Sequence, residues 1–484
     1  MAAGGYGRGA RILSIGIATT GVVTFAYFAL ASHALGATRY GGVSVLWAVL
    51  FVVVSIIYRP IEQLLSRTIA DRRARGLAGH PIRVAALIQL GFAVLFLVVA
   101  LVARHRLING VFDGASALYW ILVSGVLAYA ASYFARGWLA GHERFALYGG
   151  LVLCEALSRF LFALAAVVGI THGQTAVALG IAAAPAFSLA VVPWALRRHA
   201  DRVASEGDAG IAADAASPDA TAVAADATVE EHRAATAGGE LSLARGGRFA
   251  LSVLGIMAAE QALLNLPVLT VKATANAALA GAAFNILLIA RAPLQLFQAI
   301  QTSLLPHLTG LHSRAGAESF HRTVRITLLT IAAFAAAVAL GLLAVGPQVM
   351  HAVFAGRPYA RGGLVLVGCG MGLHLVAGTL NQAALARDRA GLAAAAWLTA
   401  AALFVGWLTL PVVSDQLLRV ELGYVGATGI LSGLLYALYL RPGPLPAQLG
   451  AEPETASAPH RLVTPASRRR RPHGRSWPPR ERGR

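Results

Sequence analysis

The chain has 484 residues, of which 57% are hydrophobic and only 13% are charged. This balance excludes an ordinary soluble domain, in which about a quarter of the residues are charged. Lysine and arginine outnumber aspartate and glutamate by 40 to 22, but in a membrane protein such an excess follows from basic cytoplasmic loops and does not indicate nucleic-acid binding.

Twelve apolar segments of membrane-spanning length dominate the chain. A helix rises about 1.5 Å per residue, so about 20 apolar residues cross the hydrocarbon core. The segments are 12–35, 41–58, 84–103, 117–135, 146–170, 175–196, 249–271, 278–302, 326–345, 363–385, 391–410 and 422–440. One polar stretch separates the first six segments from the last six. The pattern predicts an all-α integral membrane protein with about twelve spans in two six-helix bundles, related by a pseudo-two-fold axis, with a substrate path between them.

Five regions follow from this division. They are an amino-terminal segment at 1–11, a first bundle at 12–198, a linker at 199–246, a second bundle at 247–440 and a basic tail rich in proline and arginine at 441–484. The linker has almost no large apolar residue, which predicts disorder. Most of the basic residues lie on the same side as both termini, so we expect both termini in the cytoplasm. The tail is expected to contact lipid headgroups rather than nucleic acid.

The segment after the second span, from Arg59 to Gly79, has apolar residues at helical spacing followed by charged ones. This pattern predicts a short amphipathic helix on the inner leaflet, with its arginines directed toward anionic headgroups.

Two ionisable residues lie four apart in the fifth span. Glu155 and Arg159 therefore share one helix face, with the acid nearer the amino-terminal end. One interpretation is an ion pair that only makes insertion tolerable. The other is a guanidinium that faces a central cavity and is oriented by its neighbour, because a charge in hydrocarbon is costly and marks functional positions.

Arg291 lies in the middle of the eighth span, two residues before Pro293, which should kink the helix. Arg59 precedes Pro60 at the equivalent place of the first half. Both arginines are candidate substrate ligands. The alternative for Arg291 is that its side chain extends to the membrane interface.

Further polar residues lie in the seventh and eighth spans. Glu260, with Asn265 in the same helix, is a candidate site for a coupling proton or sodium ion, although Glu260 could also pair with Arg291. Gln295 and Gln298, spaced three apart, suit sugar hydroxyls, but such amides also join helices. The chain has no phosphate-binding loop and no histidine and cysteine cluster with metal-ligand spacing. We therefore expect no cofactor or metal, and transport driven by a proton or sodium gradient, the membrane potential or the substrate gradient.

Two sequence motifs resemble the polysaccharide-flippase branch of the MOP superfamily, which also holds the MATE exporters and the lipid II flippase. The segment 135–145, which is assigned to the loop after the fourth span, is similar to the Arg-Gly…Gly…Arg-Phe pattern of Wzx-type proteins. The segment 291–306 is similar to that family's end of helix eight. The resemblance covers 12–440 and leaves the linker and tail outside.

The resemblance implies a flippase that moves a polyprenyl-pyrophosphate-linked oligosaccharide across a bacterial cytoplasmic membrane, for cell-surface polysaccharide or cell-wall synthesis. Its partners would be that lipid, membrane lipids, and glycosyltransferases and a polymerase of the same pathway. Buried arginines suit a pyrophosphate. The alternatives are a MATE-like exporter of small molecules, a membrane glycosyltransferase, ligase or polymerase, and a structural protein. The absence of a long outer loop disfavours the enzyme.

Overall fold

Apolar helices build the whole of the described structure. The computed structural model describes residues 3–74, 82–189, 243–291, 293–294, 316–355, 358–387 and 389–441. The helices are α1 (Ala3–Ala34), α2 (Ala37–Ile57), α3 (Arg59–Ala74), α4 (Ile82–Val102), α5 (Ser116–Gly141), α6 (Phe145–Val167), α7 (Gly173–Leu189), α8 (Leu243–Thr274), α9 (Ala277–Arg291), α10 (Gly316–Val353), α11 (Arg361–Ala386), α12 (Ala390–Thr409) and α13 (Gln416–Leu440). Short helical turns at Arg104–Arg106 and Leu107–Val111 follow α4.

The predicted all-α membrane architecture is confirmed. Within the described residues, 10 helices are long and apolar enough to cross a membrane, with α2 and part of α3 forming one of them. The shorter apolar helices α7 and α9 occupy the positions of the sixth and eighth predicted spans. The remainder of those two spans, 190–196 and most of 292–302, lies outside the described residues.

The two halves pair their helices in the same order. In the first half α1 packs on α6, α5 on α7, and α6 on α7. In the second half the corresponding pairs are α8 with α12, α11 with α13, and α12 with α13. Such repetition is what two bundles related by a pseudo-two-fold axis require. The halves meet where α2 packs on α8.

The amphipathic helix forms as predicted, but its apolar face does not lie on the lipid surface. Only Tyr58 separates α2 from α3. Ile61, Leu65 and Ile69 of α3 are buried, and α3 packs along α5. The apolar stripe is covered by another helix because α5 extends far enough to meet it.

The loop predicted after the fourth span is largely helical. α5 continues to Gly141 and thus includes Arg136. Glycines allow α3 to approach it closely. A Cβ atom at Gly137 would lie 2.8 Å from the carbonyl oxygen of Glu62, and one at Gly141 would lie 2.7 Å from Ile69 Cβ. The helix therefore extends because tertiary packing covers it, and this places Arg136 inside the bundle.

At the end of the bundle where α1 ends and α2 begins, hereafter the far end, the two halves are in direct contact. The α2 and α9 backbones meet at glycines, since a Cβ atom at Gly281 would lie 3.1 Å from Gly41 Cα. Next to this contact, Tyr40 Oη donates to Asn285 Oδ1. Asn285 Nδ2 in turn donates to Tyr359 Oη at 3.0 Å. Close backbone packing and neutral hydrogen bonds join the halves at the far end, together with an ion pair between Lys272 Nζ and Asp113 Oδ1 at 2.6 Å.

Several sequence predictions fall outside the described residues. These are most of the linker at 199–246, the tail after Arg441, and the glutamines at 295 and 298. The last residues assigned to the linker, 243–246, begin α8, and residues 3–11 of the amino-terminal segment belong to α1.

Candidate functional site

A cavity of about 250 Å³ lies between the two halves. Its walls come from α1, α2, α3, α5 and α6 of the first half and from α8 and α9 of the second. Among the described residues, the ionisable groups that line it are Arg59, Glu62, Arg136, Glu155, Arg159, Glu260 and Arg291. Four arginines thus face three glutamates inside membrane-spanning helices, where charged groups mark functional sites.

Glu155 is the centre of the first-half network. Its carboxylate accepts hydrogen bonds from Arg136 Nη2 and Ser132 Oγ, and from Ser188 Oγ at 3.4 Å. Arg159 Nη1 lies 3.9 Å from the same carboxylate. The predicted pair between Glu155 and Arg159 therefore exists, but Arg136 on α5 is the nearer partner.

Arg159 combines a hydrogen bond with an aromatic contact. Its Nη1 donates to Tyr129 Oη at 2.7 Å, and its guanidinium lies 5.2 Å from the ring centre of Trp47. The residue is 3% exposed. Arg159 thus lines the cavity and also lies within ion-pair distance of Glu155, so both predicted placements occur together.

The second half contributes an arginine that is held by neutral groups. Arg291 Nη2 donates to the carbonyl oxygen of Leu264 at 2.5 Å and to Asn265 Oδ1 at 2.6 Å. Its guanidinium lies 4.8 Å from the ring centre of Phe284. The side chain therefore stays in the bundle and does not extend to the interface. Asn265 also donates to Gln261 Oε1 at 2.9 Å, so this amide orients the arginine.

Three of the cavity arginines retain hydrogen-bonding capacity. The Nε atoms of Arg136, Arg159 and Arg291 are buried without a hydrogen-bond partner in the described part of the chain. A buried donor without a partner costs free energy comparable to a lost hydrogen bond. A ligand with several acceptor oxygens would relieve this cost at more than one arginine.

Aromatic side chains form one wall of the cavity beside the arginines. Trp47 and Phe51 lie one turn apart on α2, with ring centres 4.1 Å apart. Both line the cavity, as does Tyr133, whose ring lies 4.4 Å from the Arg136 guanidinium. A flat apolar surface thus borders the charged groups.

The predicted site residues that the structure describes come together in this one cavity. They are Arg59, Glu155, Arg159, Glu260, Asn265 and Arg291. Gln295 and Gln298 lie outside the described residues. Sequence reasoning missed Glu62 and Arg136 as site residues. Glu62 accepts a hydrogen bond from Tyr148 Oη at 2.7 Å. The signal for Arg136 was its place in the motif at 135–145, which was assigned to a loop.

The described residues contain no group of three or more histidine, cysteine, aspartate or glutamate side chains that could hold a metal ion. The residues that line the cavity offer ionic and hydrogen-bonding recognition, together with aromatic contact.

Comparisons with known proteins show the fold. No protein-family model matches the chain, and no curated protein matches it. Several solved structures do match the chain. An outward-facing multidrug resistance MATE transporter of the MOP superfamily superposes with a TM-score of 0.60 at 14% identity, covering 89% of this chain and 94% of that one. The eukaryotic MATE transporter AtDTX14 superposes with a TM-score of 0.58 at 11% identity, and the match covers 90% of this chain and 95% of that one.

A third solved structure also shares the fold. It is a MOP-superfamily transporter from Pyrococcus furiosus, for which a reverse polarity of the binding pocket suggests a different function. Its TM-score is 0.61 at 13% identity, with 89% of this chain and 94% of that chain covered. The chain therefore shares the fold of these transporters and is a multi-pass membrane protein.

Proposed function

We propose that this protein is a flippase that carries a polyprenyl-pyrophosphate-linked oligosaccharide from the inner to the outer leaflet of a bacterial cytoplasmic membrane. The observation that carries the proposal is Arg291, a buried cavity arginine whose contacts are two neutral oxygen acceptors and an aromatic ring. Among the described residues, no carboxylate forms an ion pair with Arg291. Such an arginine is available to an anion, and its planar donor fork fits phosphate oxygens in pairs.

The first half supports the same substrate class. Arg136 and Arg159 are held on Glu155, yet each retains an unpartnered Nε. A pyrophosphate offers enough acceptor oxygens to contact arginines of both halves. Its binding would therefore draw the halves together around a charge that must cross hydrocarbon.

The aromatic wall fits the sugar attached to the pyrophosphate. The rings of Trp47 and Phe51 are large apolar surfaces directly beside Arg159, and the apolar face of a pyranose packs on such rings. The cavity of about 250 Å³ is smaller than the roughly 300–1,000 Å³ of ordinary ligand pockets. The halves must therefore move apart to admit an oligosaccharide.

A MATE-like exporter of small molecules is the second candidate, favoured by the MATE transporters that share the fold. An exporter of organic cations would use carboxylates free to receive a cation. In this cavity Glu155 accepts three hydrogen bonds and Glu62 accepts one from Tyr148. Because these carboxylates are occupied, the anionic lipid is preferred. Coupling to a proton or sodium gradient, through Glu260 and Asn265, stays a prediction.

The test uses the full chain reconstituted in liposomes that contain a polyprenyl-pyrophosphate-linked sugar. The fraction of sugar reached by an impermeant glycosidase reports the leaflet. We expect the protein to make the inner pool accessible, and Arg291→Gln to reduce the rate at least tenfold. In parallel, the same liposomes are loaded with a fluorescent organic cation. Transport of the cation without movement of the lipid would reject the flippase and establish the exporter.

A further inference from the structure

A second pocket lies on the other side of α5, away from the charged cavity. Its volume is about 610 Å³, and it is formed by α4, α5 and the end of α7. We call it the side pocket. Ala86, Gln89, Ala131, Phe134, Trp138 and Leu189 are among its lining residues. Different faces of α5 line the two sites, because successive residues of a helix point about 100° apart. Tyr133 and Arg136 line the cavity, whereas Phe134 and Trp138 line the side pocket.

The position of α4 exposes this pocket to the membrane. Few of its side chains are buried, whereas Leu87, Leu95 and Val98 are each more than half exposed. In a bilayer these exposed side chains face lipid, because α4 is a membrane-spanning helix. Anything that enters the side pocket must therefore arrive from the hydrocarbon region. A pocket lined by alanine, leucine and aromatic side chains suits an alkyl chain.

One polar group in this apolar lining has unused hydrogen-bonding capacity. Gln89 is 8% exposed, and its Nε2 donates to the carbonyl oxygen of Ala130 at 2.6 Å. Its Oε1 is buried without a hydrogen-bond partner among the described residues. An amide oxygen is an acceptor, so the missing partner is a donor. Within hydrocarbon such an unpaired group costs free energy, and a ligand that supplies the donor recovers it.

The depth of Gln89 restricts where that donor lies on the lipid. Gln89 is seven residues beyond Ile82, the first residue of α4, which is about 10 Å along the helix axis. The headgroup regions add about 5–7 Å on each side of a core of about 30 Å. Because α4 has 21 residues and is thus only about as long as that core, Gln89 lies inside the hydrocarbon region. A donor at this depth must belong to a lipid without a charged headgroup, since charge is costly there, and a free glycerol hydroxyl is an uncharged donor.

We propose that the side pocket binds one alkyl chain of a membrane lipid with a free glycerol hydroxyl, and that this hydroxyl donates a hydrogen bond to Gln89 Oε1. The alkyl chain of the lipid occupies the space between α4 and α5. It thereby supports α4, which has few contacts with the other described helices. Neither statement depends on the substrate of the central cavity.

The test measures quenching of Trp138 fluorescence by brominated lipids. The full-length protein is reconstituted in bilayers that contain either brominated diacylglycerol, which has one free hydroxyl, or brominated phosphatidylcholine, which has none. The Trp138 contribution is the difference between the parent and Trp138→Phe. The contribution of Trp120, an exposed residue on the same helix, is obtained from Trp120→Phe and reports ordinary lipid contact.

The proposal requires saturable quenching of Trp138 by brominated diacylglycerol at a mole fraction that leaves Trp120 unaffected. Gln89→Leu should raise the half-saturating fraction by about fivefold, the value of one neutral hydrogen bond. Ala131→Phe fills the pocket and should abolish the saturable component, whereas Val99→Phe, on the lipid-facing side of α4, should not.

Three results would overturn it. Quenching that rises linearly with either lipid, alike at Trp138 and Trp120, would mean bilayer contact only. Absence of quenching at Trp138 would mean that protein fills the pocket. An unchanged half-saturating fraction in Gln89→Leu would reject the hydroxyl contact.

Discussion

Arg136 and Glu155, on neighbouring helices, form a direct ion pair in the wall of the central cavity, and both side chains are at least 90% buried. Glu155 also keeps Arg159 within 3.9 Å. One carboxylate thus holds two arginines in place. The geometry of the first-half arginines depends on a residue that need not touch the substrate itself.

Breaking this pair should destabilise the protein. Arg136→Met leaves Glu155 without its nearest cation, and removal of one partner from a buried pair costs about 3–5 kcal/mol. The double variant Arg136→Met with Glu155→Gln removes both charges and should lose less than the sum of the single variants. Thermal unfolding of the purified protein in detergent measures each loss. Glu143→Gln, at an exposed turn, should be neutral, and strictly additive losses would contradict the coupling.

Arg291 should be required for transport but not for folding. Its hydrogen-bond partners in the described part of the chain are neutral, so Arg291→Gln deprives none of the described carboxylates of a paired cation. Arg291→Lys retains the charge but loses the planar fork, so it should impair transport partially, and Arg291→Gln should impair it more. The measurement is accumulation of lipid-linked oligosaccharide on the inner leaflet of cells that express equal amounts of each variant. Arg104→Gln, at an exposed residue, is the control, and transport at the parental rate by Arg291→Gln would show a structural role.

A methyl group at Gly41 should force the far end apart. A Cβ atom there would lie 1.8 Å from the carbonyl oxygen of Ala277, a distance that the backbone cannot accommodate without moving. Gly36→Ala is the matched control, because no atom lies within 4 Å of its Cβ position. We expect a cysteine placed at Ser55, in the cavity, to react faster with a reagent added on the far side in Gly41→Ala than in Gly36→Ala. Equal rates would mean that the contact does not close the cavity.

The neighbouring glycines at the start of α11 should differ sharply in their tolerance of alanine. A Cβ atom at Gly363 would lie 2.1 Å from Glu421 Oε2, whereas no atom lies within 4 Å of that at Gly362. Glu421 is buried against the first turn of α11, where a carboxylate is favoured by the helix dipole. Gly363→Ala should cost about 1–3 kcal/mol through overpacking, and Gly362→Ala should be neutral or slightly stabilising. The measurement is the midpoint of thermal unfolding of each variant. Similar midpoints for the two variants would contradict the prediction.

The predicted orientation places both termini and the linker in the cytoplasm. The test uses a variant from which both free cysteines, Cys154 and Cys369, have been removed. In that variant, cysteines introduced by Ser217→Cys and Ser467→Cys should resist an impermeant thiol reagent added to intact cells. Asn109→Cys, on the opposite side in this orientation and exposed, should react. Reaction at Ser217 or Ser467 without reaction at Asn109 would reverse the topology.

The spans and three of the four cavity arginines were predictable, Arg59 from the proline beside it and the other two because hydrocarbon imposes a simple rule on sequence. A charge in the middle of an apolar run, such as Arg159 or Arg291, is conspicuous since it is costly there. Arg136 was not recognised because it directly follows an apolar run, where a charge normally marks a loop. Glu62 was not recognised because its amphipathic helix was expected to lie on the lipid surface. Both reach the cavity because α3 packs on α5 at Gly137, a tertiary contact that hydropathy does not record.

The far end carries a consequence for how the two halves separate. Tyr40, Asn285 and Tyr359 are uncharged near neutral pH, and the adjoining glycine contact involves only backbone. Among the described residues, the ion pair that joins the halves at this end is Lys272 with Asp113; the side chain of Lys272 is 9% exposed and that of Asp113 is 57% exposed. A pair with one partner in water contributes little. Separation therefore returns one covered ammonium to solvent, and the other contacts that it breaks are uncharged. Its rate should depend on temperature and on the lateral pressure of the bilayer, and should change little with ionic strength.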